Sequence, residues 1–187
     1  DLPGFVVLNG GLVPSGGWDN FGNGFLPASH QATVFKTGKE PLADIQPRES
    51  RPGAQEAKLG LLNKLDQGVL DRLGHVDELE SAIANYEMAY RMQAAVPELI
   101  DIKGETGATR KLYGLEAKYE HTRTFGMQCL MARRLVEKGV RFIELTCPRI
   151  GGSDRWDAHG GLLKTHGDNA RATDQPIAGL LQDLKSR

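Results

Sequence analysis

The stretch Lys138-Gly139-Val140-Arg141-Phe142-Ile143-Glu144-Leu145-Thr146-Cys147-Pro148 limits the fold of this chain more than any other. Ahead of it, Phe125, Cys129, Ala132 and Val136 recur at helical spacing, with Thr122 as the expected N-cap and Lys138 and Gly139 as stop signals. Val140 to Thr146 then read as a buried strand that Pro148 ends. A helix, a glycine turn and a buried strand make half of a βαβ unit, so the sequence predicts an α/β fold with a largely parallel sheet.

Two further short strands are expected, Phe5 to Leu8 and Thr33 to Phe35. They sit in a Gly- and Pro-rich region, residues 1–50, whose loops Trp18, Phe21 and Phe25 are expected to anchor onto a core. Residues 52–138 are helix-rich. Pro52 suits a first helical turn, and Leu59, Leu62, Leu65, Val69 and Leu73 form one stripe that Gly74 closes. A second stripe, Leu79, Ala82, Ile83, Tyr86, Ala89 and Tyr90, ends before Pro97, and the two helices form a hairpin joined at Gly74-His75. A short segment containing Ala108 to Tyr113 precedes the helix opened by Thr122.

Residues 140–187 supply the strand, a loop and a last helix. That helix begins near His166 or Asp168, or at Asp174 as N-cap because of Pro176, with Ile177, Leu180, Leu181 and Leu184 as its buried stripe. The chain starts at Asp1 without Met and stops at Arg187 inside this helix, so it reads as one incomplete domain over 1–187 whose N- and C-terminal parts are missing partners.

Charge removes other classes. Twenty-three Lys plus Arg stand against 24 Asp plus Glu, a net charge of −1, and no basic block is present to track phosphates, so nucleic acid is not an expected partner. No apolar run approaches the ~18 residues of a membrane span. Cys129 and Cys147 lack C-x-x-C spacing and encode neither a disulfide framework nor a zinc knuckle.

Ligands of open α/β sheets bind outside the carboxyl ends of the strands. The loop leaving Thr146 occupies such a position and gathers Asp154, Asp157 and His159, with His166 and Asp168 close behind. Asp157 and His159 stand two residues apart. In extended backbone they point to one side, about 6.5 Å apart at Cα, so a carboxylate and an imidazole converge on one cation while Trp156 and Ala158 turn inward. Mixed oxygen and nitrogen donors suit zinc, manganese or iron more than calcium. The plainer alternative stays open: Asp157 caps a turn and His159 is a surface histidine. His166 fits the polar face of the last helix, Asp154 and Arg155 are expected to pair with each other's neighbours, Arg149 is expected to be solvated, and Gly151-Gly152-Ser153 lacks the flanks of a P-loop or a nucleophile elbow. Cys147 reads as a small buried hydrophobe. No catalytic nucleophile and no organic cofactor site are assigned.

Four segments carry a family resemblance: Leu2-Pro3-Gly4-Phe5-Val6-Val7-Leu8, Ala82-Ile83-Ala84-Asn85-Tyr86-Glu87, the run Arg133 to Ile143, and Trp156-Asp157-x-His159. Together they resemble the bacterial domain-of-unknown-function 1501 proteins, sulfatase-like members of the alkaline phosphatase superfamily. The resemblance implies an α/β/α sandwich, a divalent metal (zinc, manganese or other) held in part by Asp157 and His159, and hydrolysis of a phosphate or sulfate ester on a small-molecule or glycan substrate. It implies export to the periplasm or beyond, and Asp174 as a weaker site candidate. The family's Gly-Gly-Pro-Ser segment with its Asp, its Glu-Phe-Gly-Arg motif and its Asp-His pair do not occur in this chain, so the chain alone is expected to be inactive. A non-catalytic binding or structural protein on the same fold is the alternative.

Overall fold

Leu135, Val136, Gly139 and Val140 decide how the central helix hands over to the sheet. The computed structural model describes residues 2–36, 42, 45, 49–51, 53–74, 76–151 and 156–187. In it α4 spans Glu120–Glu137, and Val140 N–H donates to Leu135 O (3.0 Å) while Gly139 N–H donates to Val136 O (2.9 Å). That pair of bonds is a Schellman cap, and it requires the left-handed Gly139, φ 86°. Because the cap consumes the Val140 N–H, strand β3 starts two residues later than the sequence pattern, at Phe142–Leu145, and Val140 packs back into the core.

Strand β1 spans Phe5–Asn9 and β2 spans Thr33–Lys36, as the apolar runs predict. The sheet order is β2-β1-β3 and both pairings are parallel, with Val6 opposite Thr33 and Ile143, and Leu8 opposite Phe35 and Leu145. Val6, Leu8 and Phe35 therefore share one face. They pack against Met92, Val96 and Leu99 of α2 (Asp77–Ile100) and Met131, Ala132 and Leu135 of α4. The opposite face carries Phe5, Val7 and Phe142; Val7 is fully buried, whereas Phe142 is exposed and meets the Phe5 ring edge-on at 4.9 Å.

Helix α1 spans Ala54–Leu73 and turns into α2 through Gly74 (φ 78°), the expected hairpin. Pro52 and His75 lie outside the described residues. The α1 leucine stripe does not enter a core: Leu62, Leu65 and Leu73 are exposed and no described α1 residue is buried. Polar bridges hold the pair instead, with Tyr86 Oη donating to Asp66 (2.6 Å) and Tyr90 Oη to Glu56 (2.9 Å). Nor does Pro97 end α2, which runs on to Ile100 with the proline inside it. The core face of α2 is Met92, Val96 and Leu99, one turn beyond the predicted stripe.

Helix α3 (Gly107–Leu112) is capped by Thr106, whose hydroxyl accepts from Thr109 N–H at 3.1 Å. Tyr119, not Thr122, is the N-cap of α4; Thr122 is buried one turn in, and its hydroxyl donates to Arg171 O at 2.8 Å. The last helix, α5 (Leu162–Lys185), starts well before Asp174 and holds Pro176 in its middle. Its buried face is Asn169, Ala172, Thr173, Pro176 and Gly179, laid along α4, while Ile177, Leu181 and Leu184 are exposed. Small side chains let the two helices approach closely, and that contact outcompetes the larger apolar stripe. In residues 1–50 only Phe21 anchors as expected, since Trp18 and Phe25 are exposed.

Candidate functional site

Strands β1 and β3 end side by side, and a polar cluster locks their ends. Gln128, buried on α4, donates through Nε2 to Leu8 O (2.7 Å) and Thr146 O (3.0 Å). Thr146 donates its hydroxyl to Asn9 Oδ1 (3.1 Å) and accepts from Gly10 N–H (2.9 Å), and Asn9 Oδ1 also accepts from Gly11 N–H (2.8 Å). Gly10 must be glycine for steric reasons, because a Cβ there would lie 2.4 Å from Thr146 O. Beyond the strands the two chains continue together, with Leu12 N–H donating to Cys147 O (3.2 Å) and Gly11 bridging Pro148. Asn9, Gln128 and Thr146 were not singled out from the sequence. The available signal was Gln128, a polar residue on the apolar stripe between Phe125 and Ala132.

From this locked base the loop after β3 carries the predicted pair. Gly152, Ser153, Asp154 and Arg155 lie outside the described residues. Asp157 and His159 come together, His159 Nε2 lying 3.0 Å from Asp157 Oδ1, with 89% and 58% of the His159 and Asp157 side chains exposed. The two donors do converge on one side of the loop. They meet each other, and among the described residues no group of three or more His, Cys, Asp or Glu side chains could hold a metal ion.

Trp156 is not the buried anchor that alternation predicts: it is 49% exposed, and its ring lies 6.0 Å from that of His166, tilted by 30°. His166 is half-buried on α5, on the helix as expected and also beside the loop. One turn along, Lys164 Nζ donates to Asp168 at 2.8 Å, which holds the Asp168 carboxyl below its ordinary range. Asp174 is exposed in the interior of α5 and neither caps it nor approaches the pair by any described contact. Arg149 is exposed, as expected.

The remaining titratable clusters are structural. Glu105 accepts from Arg133 Nη2 (2.7 Å) and Arg134 Nε (2.8 Å), and Asp183 accepts from Tyr113 Oη (2.9 Å) and Arg187 Nε (2.9 Å). Burial works to raise the Glu105 carboxyl, but the bonds from Arg134 and Arg133 outweigh it and hold the group below its ordinary value. Burial pushes the Cys129 thiol up to about 12, with Cys147 nearby adding to the effect. Both cysteines pack around Tyr113, Phe125 and Leu130, which fits Cys147 as a hydrophobe and leaves Cys129 no thiolate character.

Fold and site together define a mixed α/β protein whose small all-parallel sheet places a carboxylate and an imidazole in the loop at its carboxyl edge. A family model matches residues 1–187, and the chain belongs to the family described as Protein of unknown function (DUF1501), the family that the resemblance named. No curated protein and no solved structure matches the chain.

Proposed function

We propose that this chain is part of a sulfatase/alkaline-phosphatase-like, metal-dependent hydrolase of phosphate or sulfate esters, with Asp157 and His159 at one corner of the site. The observation that carries the reading is the 3.0 Å convergence of the two side chains in the loop leaving a parallel strand's carboxyl end, where α/β sheets bind ligands. The donors suit zinc or manganese in kind, a carboxylate oxygen with an imidazole nitrogen, and they supply two of the roughly four ligands such an ion takes. A bound ion would act as a Lewis acid on the ester oxyanion. The residues of this chain would orient it: the Asp157 carboxylate and the His159 imidazole already lie 3.0 Å apart, and Gln128 and Thr146 hold the strand ends from which the loop springs. Export from the cytoplasm belongs to the same reading.

One observation favours the alternative, a binding or structural protein on this fold. The pair is open to solvent and hydrogen-bonded to itself, without a third donor among the described residues. The two readings separate by experiment. Zinc and manganese content after equilibrium dialysis is compared between the native polypeptide carrying this chain and its Asp157→Asn and His159→Ala variants, alongside turnover of p-nitrophenyl phosphate and sulfate. Metal and turnover that both fall in the variants support the hydrolase. Equal metal content in His159→Ala and wild type overturns it.

A further inference from the structure

Helices α1 and α2 are held apart by polar bridges, and a groove of about 770 Å³ opens beside them, lined in part by Gln55, Glu56, Tyr90 and Gln93. A recess of about 310 Å³ between the helices shares Glu56 and Tyr90 with it and adds Tyr86. Each volume taken separately lies in the usual range of small-ligand sites, roughly 300–1,000 Å³.

Three features specify what the groove would hold. In the larger groove the charges balance, Glu56 and Glu98 standing against Arg91 and Lys138 with Lys138 already paired to Glu98 at 3.0 Å, and the recess adds the single carboxylate of Glu87. A neutral polar ligand therefore suits it better than an ion of either sign. Its aromatic rings are set in advance, because Tyr90 Oη is tethered to Glu56 and Tyr86 Oη to Asp66, one helical turn apart. Hydrogen bonding to Asp66 and burial push the Tyr86 phenol up to about 12, so this tether persists at neutral pH. Finally, its wall is short of donors at Gln93. The side-chain Oε1 of Gln93 is enclosed with no hydrogen-bond partner among the described residues, and Pro97, four residues on, has no N–H to offer the Gln93 carbonyl. Turning the Gln93 amide toward a ligand hydroxyl would satisfy an acceptor that the described residues leave unpaired.

We propose that the α1–α2 groove is a carbohydrate-binding site, taking a neutral oligosaccharide whose rings lie against Tyr90 and Tyr86 and whose hydroxyls bond Gln93, Gln55 and Glu56. Hydroxyls donate and accept at once, which fits a wall of amides and carboxylates. The proposal stands apart from the metal-loop reading and survives its failure.

The test is calorimetric titration of the whole chain with maltohexaose, cellohexaose, xylohexaose and chitohexaose, with a neutral hexapeptide as the rival ligand. Saturable binding of at least one sugar is expected, weakened tenfold or more by Gln93→Ala and by Tyr90→Ala, and unchanged by Asp157→Asn. Gln93→Ala removes no side-chain acceptor bond, so it keeps the test decisive if Tyr90→Ala loosens the hairpin. The proposal is overturned by absence of binding to all four sugars, by binding that Gln93→Ala leaves unaltered, or by equal binding of the hexapeptide.

Discussion

Replacing Gly126 by alanine should destabilise this protein, although the same change elsewhere in its helices should help. In an exposed helix interior Gly→Ala gains about 1 kcal/mol from propensity and the smaller entropy of the unfolded chain. At Gly126, however, the new Cβ would stand 2.1 Å from the Tyr113 carbonyl oxygen, where real contacts are essentially never under 3.0 Å. Both atoms are held by backbone, so α4 or the turn after α3 must shift by about 1 Å. Overpacking of this kind costs ~1–3 kcal/mol, and an overlap this deep belongs at the upper end. Less the propensity gain, the net loss is about 2 kcal/mol, or ~4–8 °C in Tm for a chain of this size. Gly68→Ala and Gly167→Ala, with nothing within 4 Å of the new atom, are the controls and should each gain up to ~1 kcal/mol. Urea denaturation followed by far-UV circular dichroism measures all three. A Gly126→Ala protein as stable as wild type would show that α4 does not lie against the Tyr113 carbonyl, and the packing argument would fall.

Gln128→Leu removes the one donor shared by Leu8 O and Thr146 O, and should cost ~1–2 kcal/mol in the same urea assay while broadening amide signals at Asn9 to Gly11. Glu105→Gln should cost about 1–2 kcal/mol at pH 7, since it weakens the charged bonds to Arg133 and Arg134 while Glu137 and Asp183 still pair with Arg133. The folded Glu105 carboxyl titrates below its unfolded value, so its contribution is present above that value and disappears as pH falls through the folded one; the variant should therefore show a shallower loss of stability below about pH 4 than wild type. Trp156→Ala, at a half-exposed ring, should cost no more than ~1 kcal/mol by thermal melt, and a loss of 3 kcal/mol or more would restore the buried-anchor expectation.

The sequence by itself determined the local grammar of the chain. Phe5 to Leu8 and Thr33 to Phe35 are apolar runs too short for helices, Gly74 and Gly139 end helices because left-handed residues must, and the helix–Gly–strand order from Phe125 to Leu145 demands a parallel neighbour. The sequence also named Asp157 and His159 together, and their side chains meet at 3.0 Å, although Trp156 beside them is not buried as alternation predicts. Periodicity reports that a stripe exists, but not which stripe finds a partner. Leu62, Leu65 and Leu73 of α1 and Ile177, Leu181 and Leu184 of α5 are regular and exposed. The buried face that forms uses Ala172, Pro176 and Gly179, and at Gly179 the carbonyl of Leu112, the last residue of α3, comes so close that a Cβ would lie 2.7 Å from it. Proline was misread for a related reason: inside α2 and α5 the flanking turns supply enough packing to tolerate one missing N–H, a balance no local rule contains. The Gln128 lock on β1 and β3 joins atoms 120 and 18 residues apart, and the groove beside α2 lies where Tyr86 and Tyr90 bridge to Asp66 and Glu56 of α1, 20 and 34 residues away. Both depend on where separate elements stop against one another, and that is decided by close packing in three dimensions, which no one-dimensional pattern encodes.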